Sequence, residues 1–474
     1  MEAARNRAPD TATNPEFVVP AIGPDAIAAF AATLNGSLLQ PSDDEFDAAR
    51  RAHNTRYDRQ PTLVVRAADA ADVARTVAFA AETGLELAVR SGGHSVAGHS
   101  TSDGGIVLDL SPMKAILIDP DRRLAWAQPG VTAGDVTAAA AAHGLAVPFG
   151  DTATVGIGGI TTGGGIGFLT RKHGLTIDNL VAAEIVTADA RILTVDDRRH
   201  PDLFWAIRGG GGNVGIVTRF VYRLVKVDTV IGGGLFLPAT PETIAGLVRE
   251  ARRAPDGLTL IPFVMYAPPL PFIPAEWVGE LALMVLGVFD GNADGGEAAW
   301  APIRALAEPI VDLVGPMPYQ GIYQFTAAGE APGGSSMRSW FASDLDLADA
   351  GRIIELMRRA PSPRVMTQLR ILGAAMGRVA PDATAFSQRD AEVMVTAMAF
   401  FEAGDPAPFD AWTRAFFDAF AAHRTGVYVN FLGAEDDDRI RSAYPGGAFE
   451  RLAAIKRRYD PTNLFRVNQN VRPA

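Results

Sequence analysis

The sequence predicts an α+β protein in two parts: a first domain that mixes short strands with helices, and a second, α/β domain whose antiparallel sheet is covered by helices on one face. Three observations predict it. The chain has 474 residues, room for two or three domains at roughly 100 to 200 residues each. From Pro61 to about Val227 short β-branched runs alternate with helical spacing, and around Asp228 to Gly233 the rhythm changes to longer strands and longer helices. Hydrophobic residues make up 48% and charged residues 20% of the chain, which places it among folded globular proteins.

Thr62 to Val65 reads as the first strand of the first block; Asp69 then caps a helix through Thr83, with Val73, Val77 and Ala80 at helical spacing and Gly84 as its stop. Leu87 to Arg90, Ile106 to Leu110, Ala115 to Asp119 and Leu124 to Gln128 are short strands between Pro, Asp and Gly turns, and Thr132 to His143 is helical. Ala183 to Thr187 and Arg191 to Val195 flank a hairpin-sized turn, and Gly215 to Val225 closes the block as a long alternating strand. In the second block, strands at Leu258 to Tyr266, Leu281 to Phe289, Thr367 to Met376 and Ala391 to Phe400 alternate with helices at Pro241 to Arg253, Gly296 to Leu306, Leu347 to Arg359 and Pro408 to His423. A last helix, Phe449 to Arg458, is stopped by Tyr459-Asp-Pro-Thr-Asn463, and the chain ends in a polar tail.

Composition excludes several functions. Without cysteine there is no disulfide framework, zinc finger, iron–sulfur cluster or thiol nucleophile. With 43 Lys+Arg against 54 Asp+Glu the net charge is -11, so nucleic acid is not an expected partner. Met1 to Glu16 has no apolar run resembling a signal peptide, and no stretch reaches the roughly 18 apolar residues that span a bilayer. A cytoplasmic location without membrane contact is the expectation, and the oligomeric state stays open.

The chemistry is expected in the glycines, 48 in all. They cluster in Arg90-Ser-Gly-Gly-His-Ser95, in Thr154-Val-Gly-Ile-Gly-Gly-Ile-Thr-Thr-Gly-Gly-Gly-Ile-Gly167 and in Arg208-Gly-Gly-Gly-Gly-Asn-Val-Gly215. Glycine admits positive φ and carries no Cβ, so successive N–H groups can converge on a phosphate oxygen; three clusters beside strands point to a nucleotide cradle rather than to simple turns. The spacing is not a Rossmann fingerprint, and there is no Walker lysine and no Gly-x-Ser-x-Gly elbow.

Arg90-Ser-Gly-Gly-His94, Asp103-Gly-Gly-Ile-Val-Leu-Asp-Leu110 and Thr154-Val-Gly-Ile-Gly-Gly159, with Tyr459-Asp-Pro-Thr-Asn-Leu-Phe-Arg-Val-Asn-Gln-Asn470 at the far end, resemble the berberine-bridge-enzyme-like FAD oxidases of the vanillyl-alcohol-oxidase superfamily. The resemblance implies a two-part FAD-binding domain over 1–228, with its core at about 57–228, a substrate domain over 229–444, and a C-terminal return over 445–474. It implies FAD linked covalently to His94. It assigns the cofactor to Arg90, Ser91, Gly92, Gly93, His94, Ser95, Gly98 and His99; to Gly150, Thr154, Val155, Gly156, Gly158, Gly159, Gly163, Gly164, Gly165 and Gly167; and to Asn179, Gly215, Ile216, Val217, Asn468 and Asn470. Thr152 stands where relatives often carry a second, cysteinyl link, so a single attachment is implied, and Val155 stands at the position associated with oxygen access.

Hydride leaves a carbon more readily when a base takes the proton of the attached OH or NH. The resemblance points to Tyr428, in Gly426-Val-Tyr-Val-Asn430, for that base or for orienting the substrate; the alternative is a packed strand tyrosine. A strand would put Asn430 on the same face. Relatives often read Phe-Pro-His-Arg where this chain has Phe386-Ser-Gln-Arg389, so Arg389 is left to bind an anionic or carbonyl group. Phe263, Tyr266, Phe289, Phe325, Trp340, Phe400 and Phe401, and Met366, Met376, Met394 and Met398, are divided between core and substrate cavity. The expected activity is an FAD-dependent oxidase that removes hydride from a C–OH or C–N carbon of a small or polycyclic metabolite and passes the electrons to O2. The alternatives are a dehydrogenase with another acceptor, an oligosaccharide oxidase or a non-catalytic flavin-binding protein.

Overall fold

A computed structural model describes residues 22–327, 331–402, 404–433 and 437–474. Met1 to Glu16, where no signal peptide is expected, lies outside them.

The first part holds two main sheets. In one, Ser37–Leu39, Leu63–Arg66, Ile106–Asp109 and Leu87–Arg90 lie in that order, the last three parallel. The helix Ala70–Thr83 makes the return that parallel strands need: Asp69 accepts a hydrogen bond from the Asp72 N–H at 2.9 Å, and Gly84 ends the helix at φ 71°. The other is an antiparallel sheet, in order Ile116–Asp119, Leu124–Ala127, Ile216–Arg223, Leu180–Val186 and Ile192–Val195. Its core also contains Leu452 and Ile455 of the helix Ala448–Tyr459, and Val471 of the tail.

The second part is an antiparallel sheet of eight strands, whose main path runs Val311–Asp312, Thr229–Pro238, Leu281–Phe289, Leu258–Tyr266, Val365–Ile371, Val393–Phe401 and Gly334–Ala342. Helices Pro241–Arg253, Ala293–Arg304, Leu347–Arg358 and Ala407–Ala419 cover one face with a shared core. The opposite face packs against Phe168 and Leu169 of the first part. Four of these strands were expected from sequence. Thr229–Pro238 was not, because Gly232, Gly233 and Gly234 interrupt its apolar pattern; Gly233, at φ 142°, is where the Leu313 carbonyl presses into the strand, and a Cβ there would overlap it. The strand expected to run from Thr367 to Met376 ends at Ile371, because Gly373 and Ala374 take φ 80° and 51° and turn the chain. Among the described residues no helix is long and apolar enough to cross a membrane.

Candidate functional site

A cavity of about 450 Å³ lies where the Ser91–Ser95 loop, the helix Ile157–Gly163, the Gly211–Val217 segment and the uncovered face of the large sheet meet. The Ser91–Ser95 loop leaves the carboxyl end of a parallel strand, the edge at which open sheets place ligands. Arg90 stays behind the wall, donating to the Ala49 carbonyl. The Ser91 hydroxyl donates to the Pro129 carbonyl at 2.5 Å and accepts from the Gly158 N–H at 3.3 Å, tying the first two glycine clusters together. At their crossing Gly92 and Gly156 touch backbone to backbone, and a Cβ on either would overlap the other's nitrogen.

His94 lines the cavity with its ring stacked on His53, centroids 4.0 Å apart. Burial first, and then His53, push His94 down to about 4, against a hydrogen bond to the Thr154 backbone that raises it. His99, also in the wall, is pushed to about 4 by burial and by Arg59. Both imidazoles are therefore neutral at pH 7. His53 carried no motif in the sequence; its approach depends on its N–H donating to the Gly93 carbonyl at 3.1 Å, a long-range contact.

Of the other expected cofactor residues, Gly93, Ser95, Gly150, Val155, Gly158, Gly159, Gly215, Ile216, Val217 and Asn468 also line this cavity. Arg90, Gly98, Thr154, Gly163, Gly164, Gly165, Gly167, Asn179 and Asn470 do not. Gly98 makes room for the Tyr57 ring; Gly163, Gly164 and Gly165 admit Asn430, Tyr428 and Thr176; Gly167 admits the Phe149 carbonyl. Asn179 donates to the His173 and Leu175 carbonyls at 2.9 and 3.1 Å, and Asn470 accepts from Lys456 at 3.3 Å. The second half of the long glycine run is thus packing for the opposite wall: Ile157–Gly163 is a helix, and its last turn needs room for side chains.

Tyr428 stands on that wall, not on a strand: Val429–Phe431 is a 3-10 turn. The expected partnership with Asn430 forms nonetheless. The buried Tyr428 oxygen accepts from the Asn430 amide at 3.0 Å and from the Gly165 N–H at 2.8 Å. Burial, the largest influence, holds the phenol above its usual value, opposed by those two donors and by Arg370.

Three polar residues of the wall went unmarked in the sequence. Arg370 donates to both carboxylate oxygens of Asp151 at 3.0 and 2.9 Å, and Gln368 donates to Asp151 at 3.2 Å. Gln368 and Arg370 are two apart in Val365–Ile371 and so share the uncovered face. A polar pair at alternate positions of an otherwise apolar strand was the available signal. Arg389, by contrast, is spent in a fork on Asp178, two bonds of 2.8 Å, and does not reach the cavity. Of the aromatic and methionine candidates, Phe400 and Met398 line it; Phe263, Trp340, Met376 and Met394 are core.

Residues 61–196 match the family described as FAD binding domain, and residues 427–472 match the family described as berberine and berberine like. The (R)-6-hydroxynicotine oxidase of Paenarthrobacter nicotinovorans is 32% identical over 93% of this chain and 97% of its own. The chain belongs to the berberine-bridge-enzyme-like FAD-linked oxidoreductases. A xylooligosaccharide oxidase of Thermothelomyces thermophilus is 26% identical over 89% of both chains. The crystal structure of 6-hydroxy-D-nicotine oxidase from Arthrobacter nicotinovorans superimposes with a TM-score of 0.83 at 29% identity, covering 93% of this chain and 99% of that one.

The residues of this berberine-bridge-enzyme-like chain fit FAD. The Gly92–Gly156 crossing keeps side chains away from that stretch of backbone, while Gly159 and Gly211 leave open space where a Cβ would stand. Asn468 donates to Gly212 at 3.2 Å while its buried carbonyl oxygen meets no donor among the described residues, leaving an acceptor for a ligand.

Proposed function

We propose that the chain is an FAD-dependent oxidase that removes a hydride from a C–OH or C–N carbon of a small or polycyclic metabolite, with O2 as acceptor and H2O2 as product. The observation that carries the reading is the convergence of His94, Val155 and Tyr428 on one cavity between the glycine crossing and the large sheet. Bound FAD supplies the hydride acceptor. His94 holds it through a single covalent link, and its neutral, half-buried imidazole has the free lone pair that such a link requires. Tyr428 orients the substrate OH or NH, and its ionised form, with the Gly165 N–H and the Asn430 amide bonded to the phenolate oxygen, would take that proton as hydride leaves. Gly92, Gly156, Gly158 and Asn468 cradle the cofactor, and Val155 leaves O2 a path.

The FAD-binding part is 1–228 with the C-terminal return, and the substrate part begins at 229. The resemblance starts the return at 445; Val427, Val429, Leu432 and Ile440 already lie in the first part's core, which favours a boundary near 427.

The test is purified holoprotein mixed with candidate alcohols and amines in aerated buffer, alongside a denaturing gel viewed for flavin fluorescence. Peroxide release and a fluorescent band that His94→Ala abolishes support the reading. Flavin bleaching that persists under air points to a dehydrogenase, and colour released entirely by acid precipitation removes the covalent link.

A further inference from the structure

At the sheet end of the cavity, Asp151 is the one carboxylate and Arg370 the one guanidinium among the described residues of the wall. They are spent on each other, with side chains 12% and 5% exposed. The Arg370 Nε donates to Gln368 at 2.9 Å, one Nη1–H donates to the Ile166 carbonyl at 2.9 Å, and the Phe431 ring lies 5.1 Å from the guanidinium carbon. Around this pair the wall is apolar, with Met337, Met398 and Phe400.

The donor inventory decides what can bind. Of the five N–H donors of Arg370, Nε–H goes to Gln368, one Nη1–H to Ile166, and one Nη2–H is shared between the two Asp151 oxygens. One Nη1–H, one Nη2–H, one Gln368 N–H and the Tyr428 O–H are left for a ligand. Neutral donors suit a hydroxyl or carbonyl oxygen; a carboxylate would have to share the Arg370 charge with Asp151, which already sits on Nη2, and an ammonium would have to share Asp151 with Arg370. A charged ligand would therefore leave water for a cavity with no free counter-ion, which is strongly unfavourable.

We propose that Asp151 and Arg370 are specificity-determining residues: by neutralising each other in the wall, they make the cavity select an uncharged, hydroxyl-bearing apolar molecule over its ammonium and carboxylate counterparts. This rests on the oxidase reading for the chemistry after binding, and narrows its C–OH or C–N choice toward a neutral alcohol.

The test is calorimetric titration of the holoenzyme at pH 7 without oxygen, using 4-phenylbenzyl alcohol, 4-phenylbenzylamine and biphenyl-4-carboxylate as probes of one shape and three charges. The alcohol should bind at least ~10-fold tighter than either ion. Asp151→Asn, which leaves the Arg370 charge unpaired, should shift preference toward the carboxylate by ~10-fold or more, and Arg370→Met should shift it toward the ammonium. The double variant Asp151→Asn/Arg370→Met should recover the preference for the alcohol, and it decides the matter if a single variant does not fold. Equal binding of an ion by the wild type, binding of none of the three probes, or folded single variants with unchanged selectivity would overturn the proposal. Alcohol binding without peroxide on aeration counts against the oxidase reading and leaves this one standing.

Discussion

The crossing of Gly92 and Gly156 sets the tightest steric demand in the cavity wall. A methyl on Gly156 meets the Gly92 nitrogen and the Ser91 hydroxyl, and neither backbone can retreat without opening the bond from Ser91 to Pro129. Gly156→Ala should therefore give protein with a lowered flavin content, measured as the ratio of flavin absorbance to protein absorbance, whereas Gly315→Ala, outside the cavity and with open space for a Cβ, should retain it. Tyr428 makes a different demand. Tyr428→Phe removes one oxygen and leaves the ring among Phe386, Phe341 and Phe431, so flavin should be retained while its reduction by substrate slows by roughly 10² to 10⁴. Because burial raises this phenol, the wild-type reduction rate should climb with pH through the alkaline range and the Phe variant's should not. Stopped-flow reduction across pH reads both.

Elements with a local cause were legible in the sequence. Asp69 and Gly84 bracket the helix they were expected to bracket, because a cap acts within one turn and needs nothing from the rest of the fold. Asp69→Ala should lower stability by about 1 kcal/mol, read as a lower denaturant midpoint with flavin content intact. The strands Leu258–Tyr266 and Leu281–Phe289 were equally legible because long apolar runs announce burial on both faces. What escaped was set by contacts distant in sequence. Thr229–Pro238 holds three glycines because another segment presses on it, and Gly163 to Gly165 share a composition with Gly156 to Gly159 while facing side chains rather than the cavity. Glycine reports that something comes close, and only the fold says whether it is a ligand or a neighbour. The ion pair of Asp151 with Arg370 joins residues 219 apart in the chain, so neither could announce the other.

Across the whole molecule the two parts are sewn together beside the cavity. Arg56 grips Asp410 through two bonds of 2.9 Å, and Asn54 exchanges hydrogen bonds of 3.2 Å with the Ser335 backbone. His99, half-buried near this seam, is neutral in the fold at pH 7, pushed down to about 4 from an ordinary 6.5. A depressed histidine lends stability that is complete above 6.5 and is lost as pH falls from 6.5 toward 4, because the unfolded chain takes up the proton first. Thermal unfolding followed between pH 7 and pH 4 should show this loss, and His99→Asn should flatten part of the slope.

Met337 and Met398 have a further consequence under the proposed chemistry. An oxidase makes peroxide inside itself, and this chain has no thiol to intercept it. The thioethers of these two cavity residues are then the first soft sulfur atoms the product meets on its way out, so the catalyst ages by its own turnover. Prolonged cycling should add oxygen, about 16 Da per event, at these two sites before the core methionines Met376 and Met394, and catalase should delay it. Peptide mass mapping against turnover number checks this wear, and Met398→Leu should lengthen the working life of the protein.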